Sequence, residues 1–310
     1  MDASSGARIV PGTTLAATPI SLGTSFLGNP PGPRGEPAEE AHALARALFR
    51  GPFAVLDTSN NYAQGRSETV LGAAVRRVGL PAGKAIVTKV DADPVSGALD
   101  RDRVLRSFEE STTRLGLDRL PLLHLHDPYT IEVEEAFAPG GAVAGLHELR
   151  DQGLVGAVGI AAGPVSLMRR YVESGAFDVL LTHNRYTLVD RRAEELIAYA
   201  ADRGIGVFNA APFGGGILAG SGATYAYRQA GPELLAWLER ARALCARWDV
   251  PLPAVALQYS LRHPGIASTI VGVGRPERLA QLAELQATTV PEEFWPELTA
   301  LGTPPSTLED

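Results

Sequence analysis

An α/β fold of the (β/α)8 TIM-barrel class is what this 310-residue sequence predicts, on three observations. Eight short apolar runs recur along the chain, each bounded by turn residues, as strands buried on both faces are. Amphipathic segments of helical period alternate with them. No composition break interrupts the series, so residues 1–310 read as one barrel domain. The runner-up, a doubly wound open sheet, usually carries a Gly-x-Gly-x-x-Gly turn after its first strand. The turn here, SLGTSFLGNP, lacks that spacing.

In chain order, Arg8 and Ile9 face Thr14 and Leu15 across Pro11 and Gly12, which predicts a small hairpin closing the barrel bottom. The eight runs are residues 20–23, 54–57, 85–90, 120–126, 156–160, 179–183, 206–209 and 268–271. A helix over 37–49 opens with Pro37 and lines up Ala41, Leu44, Ala45 and Leu48. Helices over 67–77 and 102–115 follow runs two and three, the latter with a stripe of Val104, Leu105, Phe108, Thr112 and Leu115. The next spans 143–152 and stops at Gly153, a C-cap residue. Segments 165–173, 191–202, 232–248, 253–262 and 275–285 complete the helical set, and residues beyond Glu292 read as an irregular tail. Cys245, in ARALCARW, reads as a buried helix residue.

Composition narrows the function classes. A net charge of −7 with no basic cluster argues against a nucleic-acid surface. One cysteine forbids an intramolecular disulfide and suits a reducing compartment. The N-terminal MDASSGARIVPGT has no signal-peptide pattern, and no apolar run reaches the roughly 18 residues needed to span a bilayer. The expectation is a cytoplasmic enzyme without a membrane or nucleic-acid partner.

A barrel of this class keeps its chemistry at the C-terminal ends of its strands. Run two ends in Asp57, with Tyr62 on the loop beyond it. Run three carries Lys89, run four His124 and His126, and run six ends in His183, Asn184 and Tyr186. Each has an ordinary structural reading: Asp57 as a helix N-cap, Tyr62 as a rim aromatic, Lys89 as a surface lysine, His126 as a hydrogen-bonded core histidine. The functional reading joins them. A lysine on a helix-covered strand points into the mouth and needs an anion, which Asp57 supplies. An ammonium lowers the pKa of a nearby phenol. His124 and His126 share a strand face, one at mid-depth and one at the mouth. Such a group can move a proton at a carbonyl or alcohol oxygen, but it holds no nucleophile, so a hydride must come from a cofactor.

Five segments in order, LDTSNNYAQGRSETVLG, AIVTKV, RLPLLHLHDP, FNAAPFGGGILA and ALQYSLRHPGIASTIVGVGRPERL, resemble the aldo-keto reductase superfamily along essentially the whole chain. The resemblance implies a catalytic tetrad of Asp57, Tyr62, Lys89 and His126, with Tyr62 as general acid/base and His126 orienting the substrate oxygen. It implies NADP as cofactor, with NAD open, and no metal. The residues it points to for cofactor binding are Gly23, Thr24, Asn184, Tyr186, Ala211, Pro212, Phe213, Gly214, Gly216, Leu218, Gly274, Arg275 and Arg278. The glycines of FGGGILAGSG have the alternative reading of a flexible surface loop. HLHDP, LLTHNRYTLVD and NAAPFGGGILA are most similar to the sugar-oxidising branch, the L-fucose, D-threo-aldose and L-galactose dehydrogenases. The implied partner is a small carbonyl compound or sugar.

Three features depart from the family pattern. Ala161 and Ala162 replace the Ser-Asn pair that holds the nicotinamide carboxamide, leaving Asn184 as one amide contact. Asn209, Ala210 and Ala211 supply no stacking aromatic, for which Tyr186 is the candidate replacement. Arg275 and Arg278 are present for a 2′-phosphate, without the usual lysine. Two rival classes remain. One is a metal-dependent barrel hydrolase using the His-x-His of His124 and His126 with His183 and Asp57. The other is a cofactor-sensing regulatory protein with little turnover. The variable loops expected to shape the substrate pocket are 26–34, 129–142 and 220–228.

Overall fold

The structure, a computed structural model, describes residues 6–30, 38–220, 222–305 and 308. Pro37 and residues 31–34 and 221 of the expected variable loops lie outside the described residues.

Eight parallel strands close a barrel: β3 (Ile20–Gly23), β4 (Val55–Asp57), β5 (Ala85–Val90), β6 (Leu123–His126), β7 (Val158–Ala162), β8 (Val179–His183), β9 (Gly206–Ala210) and β12 (Ser268–Gly272), with β12 pairing back onto β3. Below it β1 (Arg8–Ile9) and β2 (Ala16–Ala17) form the hairpin. Its return strand is two residues later than Thr14 and Leu15, because Val10 and Leu15 bond across a turn that Thr13 also braces. A second hairpin, β10 (Thr224–Tyr225) with β11 (Arg228–Gln229), follows β9.

Helices α1 (Glu39–Arg50), α2 (Arg66–Val78), α3 (Arg101–Leu115), α5 (Ala142–Asp151), α6 (Val165–Glu173), α7 (Glu194–Ala201), α8 (Pro232–Arg247), α9 (Leu252–Leu261) and α10 (Glu277–Ala287) cover the strands as the period predicts. Asp100 caps α3 by accepting from the Arg103 amide, and Gly116 ends it in the left-handed region. Two helices were not expected: α4 (Val133–Phe137), and α11 (Phe294–Ala300) in the supposedly irregular tail. Phe294 and Leu298, one turn apart, are buried, and Trp248 meets the Phe294 ring edge-on. Pro296 falls in the first turn of α11, where no intrahelical amide is required. Cys245 is buried on α8. Among the described residues no helix is long and apolar enough to cross a membrane.

Strand parity divides the core in two. One set fills the barrel: Val55, Val87, Leu122, Val179, Leu181, Phe208 and Ile270 stack over the hairpin's Val10, Leu15 and Ala17. The other set, including Leu22, Leu56, Ile86 and Leu123, meets the helices. The inward parity that is apolar at the bottom becomes Asp57, Lys89, His126 and His183 at the top. That switch positions the site.

Candidate active site

Lys89 is 1% exposed and Asp57 is 3% exposed. The Lys89 ammonium donates to Asp57 Oδ2 at 2.8 Å, the Thr58 carbonyl at 2.7 Å and the Tyr62 hydroxyl at 3.2 Å. All three protons are used, which a buried charge requires. Burial alone would lower the Lys89 pKa, but Asp57 and Tyr62 outweigh it and raise the value. For Tyr62 the sequence expectation is corrected. Lys89 does act to lower the phenol's pKa, yet burial, with Asp57 adding to it, dominates and pushes it up to about 12.

His126 meets Tyr62 edge-to-face, with ring centroids 5.8 Å apart. Its Nδ1 lies 2.6 Å from Oδ1 of Asp91, a residue the sequence reading missed. Asp91 Oδ2 also accepts from the Ser59 hydroxyl and, at 3.1 Å, from the Asn61 amide. Burial would raise the Asp91 pKa, but His126, Ser59 and Asn61 together hold it below the carboxylate range. His124 lies deeper and is fully buried, and neither ring nitrogen has a hydrogen-bond partner. Gly159 makes its room: a Cβ there would come within 2.2 Å of the imidazole. Burial first, then the charges of Lys89 and His126, keep the His124 pKa well below the ordinary imidazole value. Asp127 lies 3.6 Å from His183 Nε2 and 3.7 Å from His126 Nε2. Burial opposes its ionisation, yet the two histidines and Tyr129 bring it down to about 2.

A cavity of about 480 Å³ runs outward from Tyr62, Lys89 and His126. Gly23, Asn184, Ala211, Pro212, Phe213, Gly216 and Arg278, all among the expected cofactor positions, line it. Other expected positions lie off that wall. The Thr24 hydroxyl turns inward to the Asp57 carbonyl and Ser67, leaving Ser25 on the wall. Gly214 packs beneath the Tyr225 ring, and Gly215 faces the cavity instead. Leu218 belongs to the outer core, and Gly274 and Arg275 are exposed beyond the wall. Tyr186 is stacked on Tyr259 of α9 at 5.1 Å, outside the barrel, and is no platform for a nicotinamide. Phe26, 61% exposed and first in the expected variable loop 26–34, is an aromatic on the cavity wall.

The groove fits a nicotinamide dinucleotide. Asn184 has a buried Oδ1 with no partner, suited to a carboxamide NH₂. Gly215 and Gly216 have φ of 78° and 112°, which lets backbone rather than side chain face the groove. The Arg278 guanidinium lies over the Phe213 ring at 4.8 Å. Its pKa is lowered by burial and by the nearby charge of Arg275, which leaves two cations suited to an anion. Asp127, Asn184 and Ala211, each directly after a barrel strand, adopt positive φ of 40°, 58° and 60°. Asp and Asn enter that region more readily than other side chains, so Ala211 is the least usual of the three.

A barrel with an ammonium-backed phenol and a histidine at its mouth is an oxidoreductase architecture, and sequence comparison agrees. The chain belongs to the aldo/keto reductase family, whose profile matches residues 19–303. It is 32% identical to a D-threo-aldose 1-dehydrogenase of Pseudomonas sp, over 92% of this chain and 94% of that protein. It is 30% identical to pyridoxal 4-dehydrogenase of Microbacterium luteolum, over 94% and 95%. It is 29% identical to L-galactose dehydrogenase of Arabidopsis thaliana, over 97% and 95%. An aldo-keto reductase from Bacillus halodurans, solved in its holo form, shares the fold with a TM-score of 0.76 at 21% identity, over 95% of each chain. The protein is therefore an NAD(P)-dependent oxidoreductase, and neither the metal-hydrolase reading nor the non-enzymatic one is favoured.

Proposed function

We propose that this chain acts as one barrel domain that oxidises the ring hemiacetal carbon of a free aldose to a lactone, with NADP favoured over NAD. Reduction of a small aldehyde is the alternative use of the same hydride chemistry. The observation that carries the reading is the Tyr62 hydroxyl, held by Lys89 at 3.2 Å and facing His126, at the inner end of a cavity whose wall includes Arg278. The sugar class is supported by the names of two relatives. In this reading Asn184 holds the carboxamide. Ala211, Pro212, Phe213, Gly215 and Gly216 follow the pyrophosphate, with Gly23 across the groove. Arg278, with Arg275 beyond it, takes the 2′-phosphate. When bound, the nicotinamide supplies the hydride acceptor. Asp57 keeps Lys89 charged and aimed, Lys89 fixes the Tyr62 oxygen, and Tyr62 and His126 flank the reacting oxygen. A reducing cytoplasm suits the single, buried Cys245.

Initial rates with NAD and NADP over free aldoses, pyridoxal and simple aldehydes test this. The highest kcat/KM is expected for an aldose with NADP. Arg278→Ala should raise the KM for NADP roughly tenfold, the loss of one charge-assisted contact, and that for NAD less than twofold. No aldose oxidation with either cofactor refutes the sugar assignment. Equal responses of the two cofactors refute the NADP assignment.

A further inference from the structure

Asn184 has four polar groups, and the protein ties three of them. Its amide donates to the Ala210 carbonyl at 3.3 Å, and its Nδ2 to His183 Nδ1 at 3.2 Å. Its carbonyl accepts from the Tyr225 hydroxyl at 2.7 Å. Oδ1 alone is left without a partner, on a residue of the cavity wall. Of the three ties the carbonyl's matters most. Asn184 is 3% exposed and its φ of 58° ends the regular ladder of β8, so neither water nor a neighbouring strand serves that oxygen.

Tyr225 is itself fixed. It is fully buried at the end of β10 and does not line the cavity. Its one proton goes to Asn184, so its oxygen accepts from the Thr187 hydroxyl at 3.0 Å. Thr187 Oγ1 in turn accepts from the Val189 amide at 3.2 Å. Donation therefore runs one way, from Val189 through Thr187 and Tyr225 to Asn184, and such a chain strengthens its own links. The Tyr225 ring has a separate contact. It lies on Gly214, where a Cβ would come within 2.5 Å of it, and the Ala226 amide donates to the Gly214 carbonyl at 3.3 Å. One side chain thus braces the segments after β8 and after β9, both of which contribute to the cavity wall.

We propose that Tyr225 is a positioning residue for the nicotinamide end of the cofactor, whose hydroxyl holds Asn184 in the conformation that presents Oδ1 to the carboxamide. This rests on the reading of Asn184 as the carboxamide contact. The need for such a brace follows from the sequence. Ala161 and Ala162 offer no hydrogen-bonding side chain after β7, so no second side-chain amide corrects a misdirected Asn184. The hydroxyl acts on the carboxamide side only. The ring, through Gly214, supports the neighbouring Gly215 and Gly216 whether or not the hydroxyl is present.

Tyr225→Phe removes the hydroxyl and keeps the ring, and two ligands separate their roles. NADPH affinity, read by fluorescence, should fall roughly tenfold, the scale of one well-placed hydrogen bond. Affinity for 2′,5′-ADP, which has no nicotinamide, should stay within about twofold by calorimetry. NADH and ADP form the equivalent pair if NAD is the tighter cofactor, so the choice of cofactor does not decide the result. In an Asn184→Ala background, Tyr225→Phe should weaken NADPH by less than about twofold, because both changes act on one contact. Thr187→Val, one step back along the donor chain, should show the same split at smaller size. Equal losses for NADPH and 2′,5′-ADP in Tyr225→Phe overturn the proposal and make the hydroxyl a general support of the groove. So does an unchanged affinity for both, or a loss fully additive with Asn184→Ala. Parent-like NADPH binding by Asn184→Ala alone refutes the carboxamide reading, and the role of Tyr225 falls with it.

Discussion

Lys84, just before β5, and Lys89, near its far end, are both nearly removed from solvent, and their surroundings differ in kind. Lys84, 9% exposed, donates to the carbonyls of Leu48 at 3.2 Å, Gly51 at 2.6 Å and Phe53 at 2.5 Å. Those carbonyls close the C-terminal end of α1, where a cation satisfies acceptors that the helix leaves unpaired. With no carboxylate beside it, burial draws its pKa down to about 8. Lys89 has a carboxylate and a phenol as well as a carbonyl, and its pKa rises. One strand thus uses the same side chain as a brace at the bottom and as an electrostatic element at the mouth. The partner's charge, more than burial, separates the two.

The largest effect should come from removing the upper lysine. Lys89→Met leaves Asp57 buried without its cation and Tyr62 without the donor at its oxygen. Turnover should fall by at least about 1000-fold, and stability by about 3–5 kcal/mol, read by steady-state rates and urea melts. A variant with near-normal turnover would contradict the placement of Lys89 in the chemistry. Tyr62→Phe should come next. It removes one hydroxyl and leaves the Lys89–Asp57 pair intact, so kcat should drop roughly 100- to 1000-fold, as for a lost oxyanion donor. NADPH affinity should hold. A fall in cofactor binding equal to the fall in kcat would make Tyr62 a binding residue instead.

The mouth was more legible in the sequence than the groove. The barrel follows from a repeat that only eight βα units explain. Asp57, Lys89 and His126 follow from it by strand parity, since an inward residue at a strand's C-terminal end must face the mouth. The same parity pointed to Asp91, two residues past Lys89. The signal was present in TKVDAD, but it lay one step beyond the apolar run that marked the strand. Parity fails in the groove for a physical reason. Asn184 and Ala211 reverse the chain into positive φ just past their strands, so later side chains lose the strand's alternation. That is how Tyr186 ends against Tyr259, and how Gly215 replaces Gly214 on the wall. The helix α11 leaves little trace in the sequence, because Pro296 sits inside it and its two buried anchors are too few for a periodic signal.

The lower lysine should alter stability and leave chemistry alone. Lys84→Met deprives three carbonyls of their donor and should cost about 2–3 kcal/mol, with turnover within about twofold of the parent. Its pH signature is separable. The Lys84 pKa is about 8 in the folded protein against 10.5 in the unfolded chain. Between those values the unfolded chain binds more protons, so this group makes the folded state more stable as pH rises through the window. Below pH 8 both states hold the proton, and the folded protein bears the full cost of the buried ammonium. The difference in urea-melt free energy between parent and Lys84→Met should therefore grow between about pH 8 and 9.5, below the range where raised tyrosines begin to oppose it. A difference that stays flat across that interval would mean that the three carbonyls hold the ammonium as firmly as water does, and that burial alone does not distinguish the bottom of the strand from its mouth.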